Sequence, residues 1–237
     1  MQTKIALCFL TYGNLSQPDL WKPFVHPKYS IYIHNKDKFS GQFEQYCIEN
    51  RIATKHSDIS LVKATLLLFK EAFKNTENAY FVLLSDMSIP LYSPGEIHDQ
   101  VKGLGSDVLL NSCHKNMERY DTLADKTFFE KSAFVKQHQW MLLKRDTVRF
   151  LIENDYTHIF GAGSNVADEH YFINVMQKFN IPFLNKCTTF VNWGENSDLK
   201  KYRARPKTYS TLTEEMLQDA WKSGALFMRK IGPECNI

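Results

Sequence analysis

Asp168-Glu169-His170 is the sharpest chemical constellation in the sequence. Apolar Tyr171, Phe172, Val175, Met176 and Phe179 follow at helical spacing, so Asp168 is placed to cap a helix and Glu169 to lie in its first turn, at the positive end of the macrodipole. That setting favours an ionised carboxylate, the state a general base needs. Acidic residues are also common in first helical turns for structural reasons, and position alone favours that role. The small residues of the preceding Gly161–Ala167 loop would let a substrate approach. A second constellation is Lys200, Lys201, Arg203, Arg205 and Lys207, with Arg229 and Lys230 arriving separately near the end. Such groups could neutralise a diphosphate, arginine through its planar fork and lysine as a point charge, although a solvated charge run is the ordinary reading of such a stretch.

The motifs that are missing narrow the chemistry. No Asp-x-Asp triplet occurs, and the nearest acid at the end of an apolar run is Asp86, in Leu84-Ser85-Asp86. There is no Walker loop, no His-Glu-x-x-His and no Gly-x-Ser-x-Gly. Gly161-x-Gly163 lacks a third glycine and a clear preceding strand, so it is a weak dinucleotide signal. Among scattered histidines, His34 at a strand end and His170 beside Glu169 stand out. Trp140 and Trp193 could stack on sugar faces, while core packing is the more frequent role of tryptophan.

The elements that must position these groups read as α/β. Lys4–Leu10 is a buried strand running into the Thr11-Tyr12-Gly13-Asn14 loop, and Tyr29–His34 is a second strand. Leu61, Ala64, Leu67, Leu68 and Ala72 mark a helix that Asp58 or Ser60 could cap. Ala79–Ser85 and Asp107–Asn111 read as further strands. After a polar, aromatic-rich stretch from Cys113 to Gln139 come a strand at Trp140–Leu143 and a helix at Arg145–Asn154. A helix at Thr213–Lys222 and the tail Phe227–Ile231 close the chain. An open sheet with crossover helices, in one domain spanning 1–237, is the expectation.

Composition sets the remaining bounds. Lys and Arg number 29 against 26 Asp and Glu, a net charge of +3, too small to make general nucleic-acid binding the leading idea. Five widely spaced cysteines, Cys8, Cys47, Cys113, Cys187 and Cys235, show neither a disulfide framework nor zinc-site spacing. Apolar runs such as Ile5–Leu10 fall far short of the roughly 20 residues that cross a bilayer, and no signal-peptide pattern opens the chain. A soluble, cytoplasmic protein is expected.

Taken in order, the segments resemble the core 2/I-branching β-1,6-N-acetylglucosaminyltransferase family, glycosyltransferase family 14, which includes xylosyltransferases and plant-type relatives. Matching stretches are Ile5-Ala-Leu-Cys-Phe-Leu-Thr-Tyr-Gly13, Tyr29-Ser-Ile-Tyr-Ile-His34, Ser57-Asp-Ile-Ser-Leu-Val-Lys-Ala-Thr-Leu66, Tyr80-Phe-Val-Leu-Leu-Ser-Asp-Met-Ser-Ile-Pro-Leu-Tyr92, Gln139-Trp-Met-Leu-Leu143, Ala167-Asp-Glu-His-Tyr-Phe172, Val191-Asn-Trp193 and Phe227-Met-Arg-Lys-Ile231. The resemblance implies a GT-A fold with a Rossmann-like mixed sheet flanked by helices. It also implies inverting transfer from a UDP-sugar, carrying GlcNAc or xylose, to a glycan or glycoprotein hydroxyl, with no metal or other cofactor. By that resemblance Glu169 is the general base, Lys230 contacts the donor diphosphate, and Lys207 or Arg205 is the accompanying cation. The nucleotide would lie at Thr11, Gly13 and His34, and acceptor contacts would come from Ser85, Asp86, Trp140 and Trp193. Familiar members carry a membrane anchor, and the animal enzymes several disulfides; neither is evident here, which suggests a stripped catalytic domain of microbial or viral origin. A glycan- or nucleotide-sugar-binding module of the same fold is the alternative. A glycoside hydrolase would need a second carboxylate, for which Asp86 is the only obvious candidate.

Overall fold

The apolar run from Ile5 to Leu10 is unbroken because the strand that contains it is covered on both faces. The computed structural model describes residues 3–105, 108–161, 166–193 and 206–236. Its strands are β1 (Lys4–Thr11), β2 (Tyr29–Asn35), β3 (Asn78–Ser85), β4 (Ile89–Pro90), β5 (Ser112–Cys113), β6 (Lys136–Gln137), β7 (Leu142–Lys144), β8 (Thr189–Val191), β9 (Tyr209–Thr211), β10 (Phe227–Arg229) and β11 (Ile231–Asn236). The helices are α1 (Ile59–Phe73), α2 (Pro94–Gly103), α3 (Arg145–Glu153), α4 (Tyr171–Lys178) and α5 (Glu214–Lys222). The main sheet runs β2-β1-β3-β7, with β1 parallel to β2 and β3 and with β7 antiparallel to β3. The expected mixed sheet flanked by helices is therefore observed.

Alternation along β1 sorts the core into two layers. Ile5, Leu7 and Phe9 pack with Tyr80, Val82 and Leu84 of β3 under Trp21, Phe24, Ile97 and Val101. Ala6, Cys8 and Leu10 face the other way and join Phe81 and Leu83 beneath Val62, Leu68 and Phe69 of α1. A third apolar cluster gathers Ile89, Leu91, Tyr209, Met228 and Ile231 around the smaller sheets β4-β10-β8 and β11-β9. All five cysteines are free. Among the described residues, no helix is long and apolar enough to cross a membrane.

Asp58 is the residue that starts α1: its carboxylate accepts the Ser60 N–H at 2.9 Å, and the Ser60 side chain together with that N–H holds its pKa below the usual carboxylate range. Ser60 instead accepts from the Lys55 N–H at 2.9 Å. Asp58→Ala is expected to cost about 1 kcal/mol, read as a lower urea midpoint with an unchanged slope.

Two local expectations are corrected. In the segment expected as a strand over 107–111, Asp107 lies outside the described residues and Leu109 forms only isolated bridges, antiparallel to Leu142 and parallel to Leu184. Asp168 does not cap α4. Val166 adopts a left-handed conformation, φ 51°, the chain turns through a short 3-10 segment at Ala167–Glu169, and α4 begins only at Tyr171 with His170 in the capping position.

The order β2-β1-β3 has a consequence for function. The connection from β1 goes to one neighbour and the connection from β2 passes through α1 to the other side, so the strand order switches between β1 and β3, and their carboxyl ends mark the usual ligand position in open α/β sheets. Thr11-Tyr12-Gly13 continues from the end of β1 and Ser85-Asp86 from the end of β3. They are tied together, since the Tyr12 N–H donates to Asp86 Oδ2 at 3.1 Å and the Ser16 N–H to the Asp86 carbonyl at 2.9 Å.

Candidate functional site

The 3-10 turn that displaces α4 sets Glu169 on a partly buried wall, its side chain 20% exposed. Arg119 comes from the Met117–Thr122 turn and Lys136 from β6, both within the polar, aromatic-rich stretch. Arg119 Nη1 reaches Glu169 Oε2 at 2.6 Å and Lys136 Nζ reaches the same oxygen at 3.1 Å. Burial alone would raise the Glu169 carboxyl, but the Arg119 hydrogen bond and the Lys136 charge outweigh it and hold the group below its ordinary value. Glu169 is thus ionised at neutral pH, as the helix-dipole argument expected, though two cations rather than a helix terminus are responsible.

Its neighbours in sequence behave differently. Asp168 is buried, its Oδ1 has no hydrogen-bond partner among the described residues, and burial together with the Glu169 charge pushes its carboxyl up to about 7. His170 is fully buried, donates from Nδ1 to the Val135 carbonyl at 2.8 Å and stacks on Phe134 with centroids 4.8 Å apart. Burial pulls its imidazole down to about 4, so the ring is neutral and its Nε2 faces Arg119 Nη1 at 3.4 Å. His138, whose pKa is lowered by burial and then by Lys136, feels the charges of both Glu169 and Arg229, which places β6, the 3-10 turn and the end of β10 around one neighbourhood. The Trp193 ring lies 6.0 Å from that of His138.

At the strand ends, Arg229 lies over the Trp140 ring, Cζ 4.4 Å from its centroid, and donates from Nε to Ser85 Oγ at 3.3 Å. Trp140 is 6% exposed. Thr11 and His34 are buried, and Thr11 Oγ1, His34 Nδ1 and the Oδ1 of neighbouring Asn35 have no partner among the described residues. His34 Nε2 accepts the Ile52 N–H at 3.2 Å. Leu10 pairs with His34 and Thr11 with Asn35 across β1 and β2, so the three unpartnered atoms lie at one end of the sheet. Lys230 sits between β10 and β11, its carbonyl accepting from the Tyr209 N–H at 2.8 Å. Exposed Lys207 leads into that same β9 strand, with Nζ 5.0 Å from the Tyr209 ring centroid. Arg205, with Lys200, Lys201 and Arg203, lies outside the described residues.

Residues 5–220 match the sequence profile of the Core-2/I-Branching enzyme family. The chain belongs to this family. A curated relative, Glycosyltransferase BC10 of Oryza sativa subsp. japonica, is 22% identical over 164 residues, which are 64% of this chain and 41% of the rice protein. The chain thus spans about two fifths of the length of that relative. Among solved structures, A197 from STIV aligns over 62% of this chain and 68% of its own, at 12% identity and a TM-score of 0.32. CMP:2-keto-3-deoxy-manno-octonic acid synthetase complexed with CTP aligns over 66% and 80%, at 10% identity and a TM-score of 0.34.

Within this family member, the structure brings Thr11 and Gly13 next to Ser85 and Asp86, and sets Lys207 and Lys230 on paired segments. Arg119, Lys136 and His138 lie 50, 33 and 31 positions before Glu169, with no motif in the sequence to connect them. Arg229 stands in the sequence only among late basic residues, far from Ser85 and Trp140. The one local hint was a cluster of cations in a stretch otherwise rich in aromatic residues.

Proposed function

We propose that this protein is an inverting glycosyltransferase that moves a sugar, GlcNAc or xylose, from a UDP-sugar to a hydroxyl of a glycan or glycoprotein without a metal ion. The observation that carries this reading is the state of Glu169: an ionised carboxylate on a site wall, with both of its cationic partners on Oε2. Among the described residues no hydrogen bond reaches Oε1, which would receive the acceptor proton. As the acceptor oxygen forms its bond to the anomeric carbon, its proton passes to Glu169, the bond to the diphosphate oxygen breaks, and the electron pair departs with UDP. A single displacement of this kind inverts the anomeric centre. Because Arg119 and Lys136 keep the carboxylate weakly basic, proton transfer comes late, when the attacking oxygen has become strongly acidic. Lys230 with Lys207 or Arg205 would neutralise the leaving diphosphate, and the buried polar end of β1 and β2 at Thr11 and His34 would face the nucleotide.

The test is UDP release from a panel of UDP-sugars, each with an acceptor, with and without EDTA. One donor should support release that EDTA leaves intact. Release abolished by EDTA would contradict the metal-independent mechanism, and no release from any donor would favour a binding module.

A further inference from the structure

Arg229 is held by groups that are themselves fixed. Ser85, its hydrogen-bond acceptor, is 3% exposed, and Ser85 Oγ is placed by Ser88 Oγ at 3.1 Å and by the Met87 N–H at 3.2 Å. Trp140 supplies the apolar shelf beneath the guanidinium. Among the described residues, no carboxylate forms an ion pair with Arg229. Asp86 acts on it through charge alone, its Oδ2 being occupied by the Tyr12 N–H. Burial lowers the guanidinium to about 10, which leaves it charged at neutral pH. Among the described residues Arg229 is a partly buried cation with one hydrogen bond and no carboxylate in ion-pair contact, an arrangement that an arriving anion relieves, and a guanidinium edge matches an oxyanion in geometry.

We propose that Arg229, resting on Trp140 and tethered by Ser85, is an oxyanion seat of the donor pocket that takes a phosphoryl or carboxylate oxygen of the incoming nucleotide sugar. The inference rests on the nucleotide-sugar reading above. It moves Ser85 and Trp140 from the acceptor side to the donor side, where they are positioning residues for the guanidinium.

The experiment titrates the full chain and its Arg229→Gln and Arg229→Lys variants with UDP, UDP-GlcNAc, UDP-glucuronate, uridine and inorganic pyrophosphate, and melts each variant with and without UDP. In Arg229→Gln, UDP and pyrophosphate should bind about ten- to a hundredfold more weakly, with uridine unchanged. The ligand-free melting temperature should hold or rise, because an unpaired cation has been removed. A loss confined to UDP-glucuronate, with UDP and UDP-GlcNAc unaffected, would identify the anion as a sugar carboxylate. Weakened pyrophosphate binding in a protein whose wild type ignores UDP would keep the seat and sink the nucleotide-sugar reading. Unchanged affinity for every anion, or a wild type that binds none of them, would overturn the proposal. So would a fall in melting temperature that Arg229→Lys repairs with no change in anion affinity.

Discussion

Glu169→Gln is expected to slow sugar transfer by about 100- to 10,000-fold, the usual share of a general base, equivalent to about 2.7–5.5 kcal/mol of transition-state stabilisation. Glutamine keeps the shape of the side chain, so the acceptor loses a proton acceptor rather than a wall of its pocket. The same substitution removes the negative charge that Arg119 and Lys136 neutralise, at 2.6 and 3.1 Å, and leaves two cations facing an amide. Donor affinity should therefore hold or tighten, because the field around a diphosphate becomes more positive. Single-turnover transfer and UDP titration together separate these effects. Near-normal turnover in a folded variant would remove Glu169 from the chemistry. Weakened UDP binding would instead mean that the carboxylate orders the donor site.

What local sequence could show about this fold, it showed where a single element decides the outcome. The run Ile5–Leu10 marks β1, Ala79–Ser85 marks β3, and Asp58 before an apolar stripe marks the start of α1, all within a residue or two of the observed bounds. Burial on both faces makes such strands uniformly apolar, and a capping carboxylate acts within two residues of its own position. The surroundings of Glu169 were not legible in this way. Arg119 and Lys136 reach it only after β5 pairs with β6 and the Met117–Thr122 turn folds against the 3-10 segment, contacts that no periodicity encodes. Asp168 misled for a related reason. Its spacing from Tyr171 suits a cap, but the left-handed Val166 carries it inward instead. Asp86, expected as an acceptor contact, also ties the loop after β1 to the end of β3, a link across 74 positions that no local pattern marks.

Asp168 leads to the second large effect, in stability. Its folded-state pKa, about 7, lies above the ordinary value of 3.8, so the native protein binds this proton more tightly than the unfolded chain does. The stabilisation linked to that proton is complete below about pH 4 and is lost as pH rises towards 7. At about 1.4 kcal/mol per pH unit, the loss approaches about 4 kcal/mol by pH 8. Asp168→Asn carries no such proton, so its urea midpoint should gain on that of the wild type across this window, on top of the rise with pH that both proteins share from the lowered pKa values of His170 and His138. An amide also brings N–H donors into a buried space, a cost of about 1–3 kcal/mol if they find no acceptor, so the variant should be less stable than wild type at pH 4 and overtake it near neutrality. Parallel midpoint profiles for the two proteins would show that Asp168 ionises freely in the fold. A crossing would show that the chain keeps beside Glu169 a second carboxyl whose ionisation opposes folding, raised in part by the very charge that Arg119 and Lys136 hold in place. In Glu169→Gln, that contribution disappears, and the decline in stability should shift to lower pH.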